Sequence, residues 1–224
     1  MRNTFPTLLL FICLVSLAMP SPAQEHWRKD MEAFRRLDAA NPPAQGEILF
    51  VGSSTFNLWR DYAAYFPGYT IANRGFGGSS LRDVLYFYET LVKPHAPRQI
   101  VVYEGDNDLN NDRYTVAQFM DDVACFVHLT QICYPDCMVC FVSIKPSPAR
   151  RTMYAKYEEA NRQLRNFCEQ AGENIQYIDI WSLMVDADGE PNDATNYFLD
   201  DRLHLNAAGY ALLAAAITPY LTTD

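Results

Sequence analysis

The chain has 224 residues, 49% of them hydrophobic and 13% aromatic, and its 18 basic and 27 acidic side chains give a formal charge of −9. That composition belongs to a folded protein with a substantial core, not to a disordered one. An acidic balance without a basic block argues against nucleic acid or an anionic membrane as partner.

Residues Met1 to Ala23 read as a secretory signal. Arg2 precedes the apolar run Leu8 to Ala18, and the small residues Ser21 and Ala23 suit cleavage before Gln24. The run is too short to span a bilayer comfortably and no later segment is longer, so no stable membrane insertion is expected. The mature protein is expected to be secreted or periplasmic, a single domain of 201 residues whose charge becomes −10 once Arg2 is lost. Nothing in the sequence sets the number of subunits.

The periodicities then alternate. Trp27, Met31, Phe34 and Leu37 recur at helical spacing between Glu25 and Ala39. Strand-like apolar runs follow at Glu47–Val51, Thr70–Asn73, Gln99–Glu104, Met138–Ile144 and Gln176–Trp181. Between them lie helical faces built on Leu81, Val84, Leu85, Tyr88 and Leu91, then on Phe119, Val123, Phe126 and Val127. A third face carries Tyr154, Tyr157, Ala160, Leu164 and Phe167, and a last helix runs from about Asn206 to Tyr220. Short apolar strands separated by amphipathic helices predict a three-layer α/β/α domain, flavodoxin-like, with a five-stranded parallel sheet. The irregular stretch Ser182–Leu203, with Asp186, Asp188, Gly189 and Pro191, reads as one functional loop.

Five cysteines remain after the signal: Cys125, Cys133, Cys137, Cys140 and Cys168. An odd number cannot all pair internally. Cys133, Cys137 and Cys140 have the C-x3-C-x2-C spacing of radical iron–sulfur enzymes, but export and the strand-like setting of Cys140 argue against a cluster. An oxidising compartment does allow one local disulfide between Cys133 and Cys137.

Ligands of open α/β sheets bind beyond the carboxyl ends of the strands. The first strand delivers Gly52-Ser53-Ser54 to that edge, and the second delivers Asn73-Arg-Gly-Phe-Gly-Gly78. The third delivers Glu104-Gly-Asp-Asn107-Asp108, the fourth Ser143-Ile-Lys-Pro-Ser-Pro148, and the long loop ends in Asp201-Arg-Leu-His204. The two serines fit either a helix cap or a nucleophile. Of the four histidines, His26, His95 and His128 fall in structural or solvent-facing positions, and His204 alone reaches this edge with an acid three residues before it. Gly75, Gly77 and Gly78 fit a phosphate cradle or a backbone amide aimed at an oxyanion, and the absence of a Walker lysine and of full dinucleotide spacing disfavours the cradle. Asn107 suits a neutral side-chain donor, or an ordinary turn.

Taken together, these blocks resemble the SGNH hydrolases, also called the GDSL esterase/lipase family. Gly52-Ser53-Ser54 is similar to the first block, Asn73 to Gly78 to the second, Gly105-Asp-Asn107-Asp108 to the third, and Asp201-x-x-His204 to the last. The likeness spans nearly the whole mature chain in the right order. It implies a flavodoxin-like sheet with neither metal nor organic cofactor. Ser54 then takes the place of the nucleophile, His204 of the general base and Asp201 of its orienting acid, with Asp200 as a minor competitor. The backbone N–H groups of Ser54 and Gly78 and the Asn107 side chain take the place of oxyanion donors. Two positions depart from the pattern, Ser53 where Asp is usual and Asp106 where Gly is frequent, and they are expected to alter the edges of the site without removing its chemistry.

The resemblance implies a carboxylic-ester hydrolase working through an acyl-enzyme. Export, acidity and the aromatics Trp59, Tyr62 and Tyr65, expected at the surface, fit a small-molecule or saccharide ester such as an acetylated sugar. Lipase, lysophospholipase or acyltransferase activity with the same triad is the alternative, as is a glycan-binding protein without catalysis. Trp59, Tyr103 and Phe76 fit either pocket lining or core. Lys145 and Arg150 are expected at the surface, with recognition of an acidic substrate group as the second reading.

Overall fold

The computed structural model describes residues 25–186 and 197–223. All five predicted strands form: β1 (Ile48–Gly52), β2 (Ile71–Asn73), β3 (Gln99–Tyr103), β4 (Met138–Val142) and β5 (Ile175–Ile178). Every pairing is parallel, in the order β2-β1-β3-β4-β5, which is the flavodoxin-like order. β1 and β3 are buried along their whole length, as near-continuous apolar runs require in a sheet covered on both faces. The last strand stops short of the predicted Trp181, because that residue opens a short helix.

The helices are α1 (Arg28–Ala40), α2 (Ser54–Asn57), α3 (Leu81–Tyr86), α4 (Tyr88–Leu91), α5 (Asp106–Leu109), α6 (Val116–Cys133), α7 (Tyr154–Gln170), α8 (Trp181–Met184) and α9 (Ala207–Ile217). Strand alternation sends Leu49, Val51, Ile100, Val102, Val139 and Phe141 into one core layer with α1, α3, α4, α6 and α7. Their neighbours Ile48, Phe50, Val101, Tyr103, Cys140 and Val142 face the second layer, shared with Phe56, Trp59, Phe66 and α9. The predicted three-layer α/β/α architecture is therefore the one observed. The single helical face expected from Leu81 to Leu91 is split at Phe87 (φ −95°, ψ 14°), and Val84 and Tyr88 on either side of the break both lie in the first core layer.

Several sequence expectations need correction. Trp59 is core, not surface: it is 1% exposed, stacks on Tyr210 at 5.0 Å and packs edge-on against Phe66. Tyr103 and Phe76 are likewise fully buried and serve packing, whereas Trp59 combines its core contacts with one edge of a cavity of about 150 Å³ beside the serine turn. Tyr62 and Tyr65 are half-buried against the same layer. The allowed disulfide between Cys133 and Cys137 is absent, and all five cysteines from Cys125 onward are free thiols. Cys133 ends α6, whereas Cys137 turns into the core and its Sγ donates to Met138 O at 3.5 Å. Burial pushes the Cys137 thiol up to about 12 and the Cys140 thiol to about 11.

His95 proves structural. Its Nδ1 lies 2.5 Å from Glu47 Oε1 and its Nε2 accepts from Arg74 Nε at 2.8 Å, while Arg74 also pairs with Asp38 on α1. Burial, then the Arg74 charge, lowers the His95 pKa, which fits a neutral imidazole accepting from a guanidinium. Among the described residues no helix is long and apolar enough to cross a membrane. The signal pattern read in residues 1–23 lies outside the described residues, as do Asp188, Gly189 and Pro191.

Candidate active site

The carboxyl edge of the sheet gathers the residues singled out above, and each is held by its own local structure. β1 ends on Gly52 at φ +149°, and a Cβ there would meet Tyr103 O at 2.2 Å. Only glycine admits this close crossing of β1 and β3. Ser53 follows in extended conformation, 2% exposed, with no side-chain cap on α2. The chain then turns into α2, so that Ser54 is its first helical residue, half-buried at the edge. As such its N–H has no partner within the helix.

The segment from Phe198 to Asn206 is built as a tight hairpin. Phe198 bridges Leu205, Leu199 N–H donates to His204 O at 2.8 Å, and Asn206 caps α9 by accepting from Gly209 N at 3.0 Å. Asp201 sits at the tip, where its Oδ1 accepts from Leu203 N at 2.9 Å and His204 N at 3.0 Å. Its Oδ2 lies 2.6 Å from His204 Nδ1, and His204 Nε2 lies 3.1 Å from Ser54 Oγ. The backbone N–H of His204, then that of Leu203, then the imidazole hold the Asp201 carboxyl down at about 2. An anionic Asp201 makes Nδ1 the donor, leaving Nε2 to accept from the Ser54 hydroxyl. Asp200 makes none of these contacts, which separates the two neighbouring acids.

The hairpin and the serine turn are tied together by packing. Tyr210 of α9 donates to Thr55 O at 3.0 Å and stacks on Trp59. Phe50 stacks on Phe56 at 4.9 Å on the same side of the sheet. Aromatic pairs of this kind contribute roughly 0.5–1.5 kcal/mol beyond their buried area. The serine–imidazole distance therefore rests on buried contacts and not on the loop alone.

The glycine-rich turn after β2 comes to the same place. Asn73 Nδ2 donates to Phe56 O at 2.8 Å, and Trp27 Nε1 of the segment before α1 donates to Gly77 O at 2.9 Å. Gly78 has φ +80° and is exposed, a left-handed backbone in which its N–H is not screened by a side chain. Asn107 Nδ2 donates one hydrogen to Ser79 O at 2.9 Å, leaving its second amide hydrogen unused by that bond. Beneath them Ser79 Oγ donates to Glu104 Oε1 at 2.5 Å, and Asp108 accepts from Leu81 N and Gly105 N, each at 2.9 Å. The second and third sequence blocks are thus one hydrogen-bonded unit.

Two site residues were misplaced or passed over by sequence reasoning. Lys145 is not at the surface: it is 1% exposed, with Nζ 2.8 Å from Asp106 Oδ2 and 3.1 Å from Tyr103 Oη. Burial alone would lower the lysine and raise the acid, but their mutual attraction reverses both shifts, helped at Asp106 by Tyr157 and Arg150. Arg150 is partly buried, its Nε 3.6 Å from Asp106 Oδ1. The signal for both was the departure at position 106, since an acid buried at a glycine position requires a counter-charge. Concavities of about 250 and 410 Å³ lie around Arg165, Tyr177 and Asp179, away from Ser54, while one of about 150 Å³ adjoins the serine turn at Asn57, Arg60 and Tyr62.

Comparison with known proteins identifies the family and the fold. The model of the GDSL-like Lipase/Acylhydrolase family matches residues 45–212. Among solved structures, a Streptococcus pneumonia protein named as a candidate platelet activating factor superposes with a TM-score of 0.76 at 22% identity, over 89% of this chain and 97% of that one. A GDSL-like lipase from Bacteroides thetaiotaomicron gives 0.72 at 19% identity, over 85% and 96%. An acetylxylan esterase from Geobacillus stearothermophilus gives 0.65 at 16%, over 82% and 97%. At such identities the structural likeness is one of fold. No curated protein matches the chain.

Proposed function

The chain belongs to the GDSL-like lipase/acylhydrolase family, a family of ester-bond hydrolases, and on that premise we propose that it is an exported serine esterase using Ser54, His204 and Asp201. The observation that carries the reading is the hydrogen-bonded series from Asp201 Oδ2 to His204 at 2.6 Å and on to Ser54 Oγ at 3.1 Å. Asp201 holds the imidazole tautomer and stabilises its protonated form. His204 Nε2 takes the Ser54 proton as Oγ bonds to the ester carbonyl carbon. The resulting oxyanion is met by the N–H groups of Ser54 and Gly78 and by Asn107 Nδ2. Collapse breaks the carbon–oxygen bond to the alcohol, which leaves with the proton from His204. Water, deprotonated by the same imidazole, then releases the acid and restores the serine.

Small acyl groups, such as acetyl on a carbohydrate, are the substrate class we favour. A long acyl chain needs an apolar groove, yet Tyr103 and Phe76 are spent in the core and the cavity that Trp59 lines beside the serine turn holds only about 150 Å³. The exposed large apolar side chains, Leu37, Leu58, Tyr86, Ile132, Leu183 and Leu199, are scattered over separate elements of the described residues. Export rests on the Arg2, apolar-run and Ala23 pattern of the first 23 residues.

Ser54→Ala should lower kcat for p-nitrophenyl acetate by roughly 10³-fold or more and abolish labelling by a fluorophosphonate. Ser53→Ala, at a buried position with no contact to His204, should retain most of both. Undiminished hydrolysis by the Ser54 variant would remove the proposal.

A further inference from the structure

Arg150 stands where two halves of the proposed site meet. Ala149 N–H donates to Arg202 O at 3.0 Å and Ser147 Oγ to Leu203 O at 3.4 Å, so the turn before Arg150 packs on the hairpin carrying Asp201 and His204. In the other direction, Arg150 Nε lies 3.6 Å from Asp106 Oδ1, and Asp106 immediately precedes Asn107. The 3₁₀ run Pro148–Met153 is interrupted at Arg150 itself (φ −112°, ψ 17°).

The charge of this side chain is left over. Lys145 Nζ already pairs with Asp106 at 2.8 Å, and Tyr157 Oη adds a hydrogen bond at 3.0 Å. At 3.6 Å the Arg150 Nε is beyond hydrogen-bonding distance, and it is buried without a partner. No described residue accepts a hydrogen bond from the guanidinium, whose side chain is 24% exposed. Two cations over one anion leave a net positive charge in a chain whose overall charge is −9. Asp201 does not offset it by contact, because both its oxygens are taken by the hairpin and the imidazole. A planar, partly desolvated guanidinium without an acceptor is suited to a carboxylate, which it binds through two parallel N–H donors.

On the serine esterase reading, the leaving alcohol lies beside His204 Nε2, which returns its proton, and Arg150 is anchored to the loop that carries His204. We propose that Arg150 is the subsite for a carboxylate on the alcohol part of the ester. The substrates of this class are short acyl esters of acidic alcohols, such as acetylated uronic-acid sugars.

The test compares 3-acetoxybenzoate with its uncharged isostere 3-acetoxybenzamide, with phenyl hydrogen succinate against phenyl acetate as an acyl-side control. Arg150→Gln should lower the acid-to-amide ratio of kcat/KM roughly tenfold or more relative to wild type, and Arg150→Lys should lie between. Both esters meet the same preparation, so the ratio is independent of the fraction folded. Added salt should reduce the ratio in wild type and leave the Gln variant flat. An equal ratio in wild type and Arg150→Gln, with both esters hydrolysed, overturns the subsite alone. A loss confined to the succinate pair overturns its assignment to the alcohol side. Hydrolysis of neither ester overturns the esterase reading and the subsite with it.

Discussion

Replacing Lys145 by Met tests whether the buried charge pair behind Asn107 is what makes the departure at Asp106 tolerable. The lysine and aspartate side chains are 2% and 6% exposed, with Nζ 2.8 Å from Oδ2. Removing one partner of such a pair leaves an uncompensated buried charge, at a cost of about 3–5 kcal/mol. Tyr157 Oη at 3.0 Å and Arg150 at 3.6 Å remain beside Asp106 and move the expectation to the lower end, about 3 kcal/mol. For a chain of this size that is a fall in Tm of roughly 6–12 °C. Asp106→Asn should cost a similar amount by stranding the ammonium, whereas the neutral double variant should lie within about 2 kcal/mol of wild type. Urea denaturation of the four proteins at pH 7, followed by circular dichroism, gives the cycle.

The same pair predicts a pH signature. Asp106 is held below its ordinary range in the wild type, so its contribution is present above the unfolded carboxyl pKa and is lost as pH falls through the folded one. Without Lys145 the buried carboxyl is pushed upward instead, and its protonation relieves the penalty in acid. The gap between wild type and Lys145→Met should therefore narrow from pH 7 toward about pH 4. A Lys145→Met variant within about 1 kcal/mol of wild type at pH 7, or a double variant as unstable as the sum of the singles, refutes the reasoning.

Two further outcomes follow from the same edge of the sheet. Asn107→Ala should reduce kcat for p-nitrophenyl acetate by roughly 10²–10³-fold with a smaller change in KM, and a loss under about tenfold in steady-state assays would remove Asn107 from the oxyanion role. Glu104 is buried beneath Ser79, and burial, reinforced by the Asp108 charge, keeps its proton well above the ordinary carboxyl range. A raised folded pKa means that the native state holds the proton longer, so stability should decline as pH rises above the unfolded carboxyl value of about 4.3 and until the folded group ionises, by at most about 1.4 kcal/mol per unit for this group. Glu104→Gln should flatten that slope in urea midpoints, and an unchanged slope would show that Glu104 is ionised in the folded protein.

The features legible in the sequence were those written in short-range patterns. Apolar runs such as Ile48–Val51 and Ile100–Tyr103 are strands because only a sheet covered on both faces buries every side chain of such a run. Once the strands are parallel, their carboxyl ends share one edge, which puts the turns carrying Ser54, Gly78 and Asn107 after the neighbouring strands β1, β2 and β3, while His204 is brought to Ser54 by the packing of its hairpin and α9. Even the register between Asp200 and Asp201 has a local cause, since only the acid three residues before His204 accepts the His204 backbone N–H while facing its ring.

What stayed hidden depends on matches between distant residues. Lys145, in a proline-rich segment after β4, looks like any solvated lysine, and nothing local says that an aspartate 39 positions earlier lies against it. Trp59 misled in part for the same reason: one face of its indole is covered by Tyr210, from the last helix, besides its contacts with Phe50, Tyr65 and Phe66. Asp106 did announce itself, as an acid where glycine is frequent in the family pattern, and its departure carries more weight than the agreements around it. A carboxylate cannot be buried there alone. It needs Lys145 for neutrality, and the pair in turn leaves the neighbouring guanidinium of Arg150 without an anion of its own. On the proposed esterase reading the matching blocks supply the chemistry that opens an ester, and the exception among them bears on which esters the proposed Arg150 subsite would take.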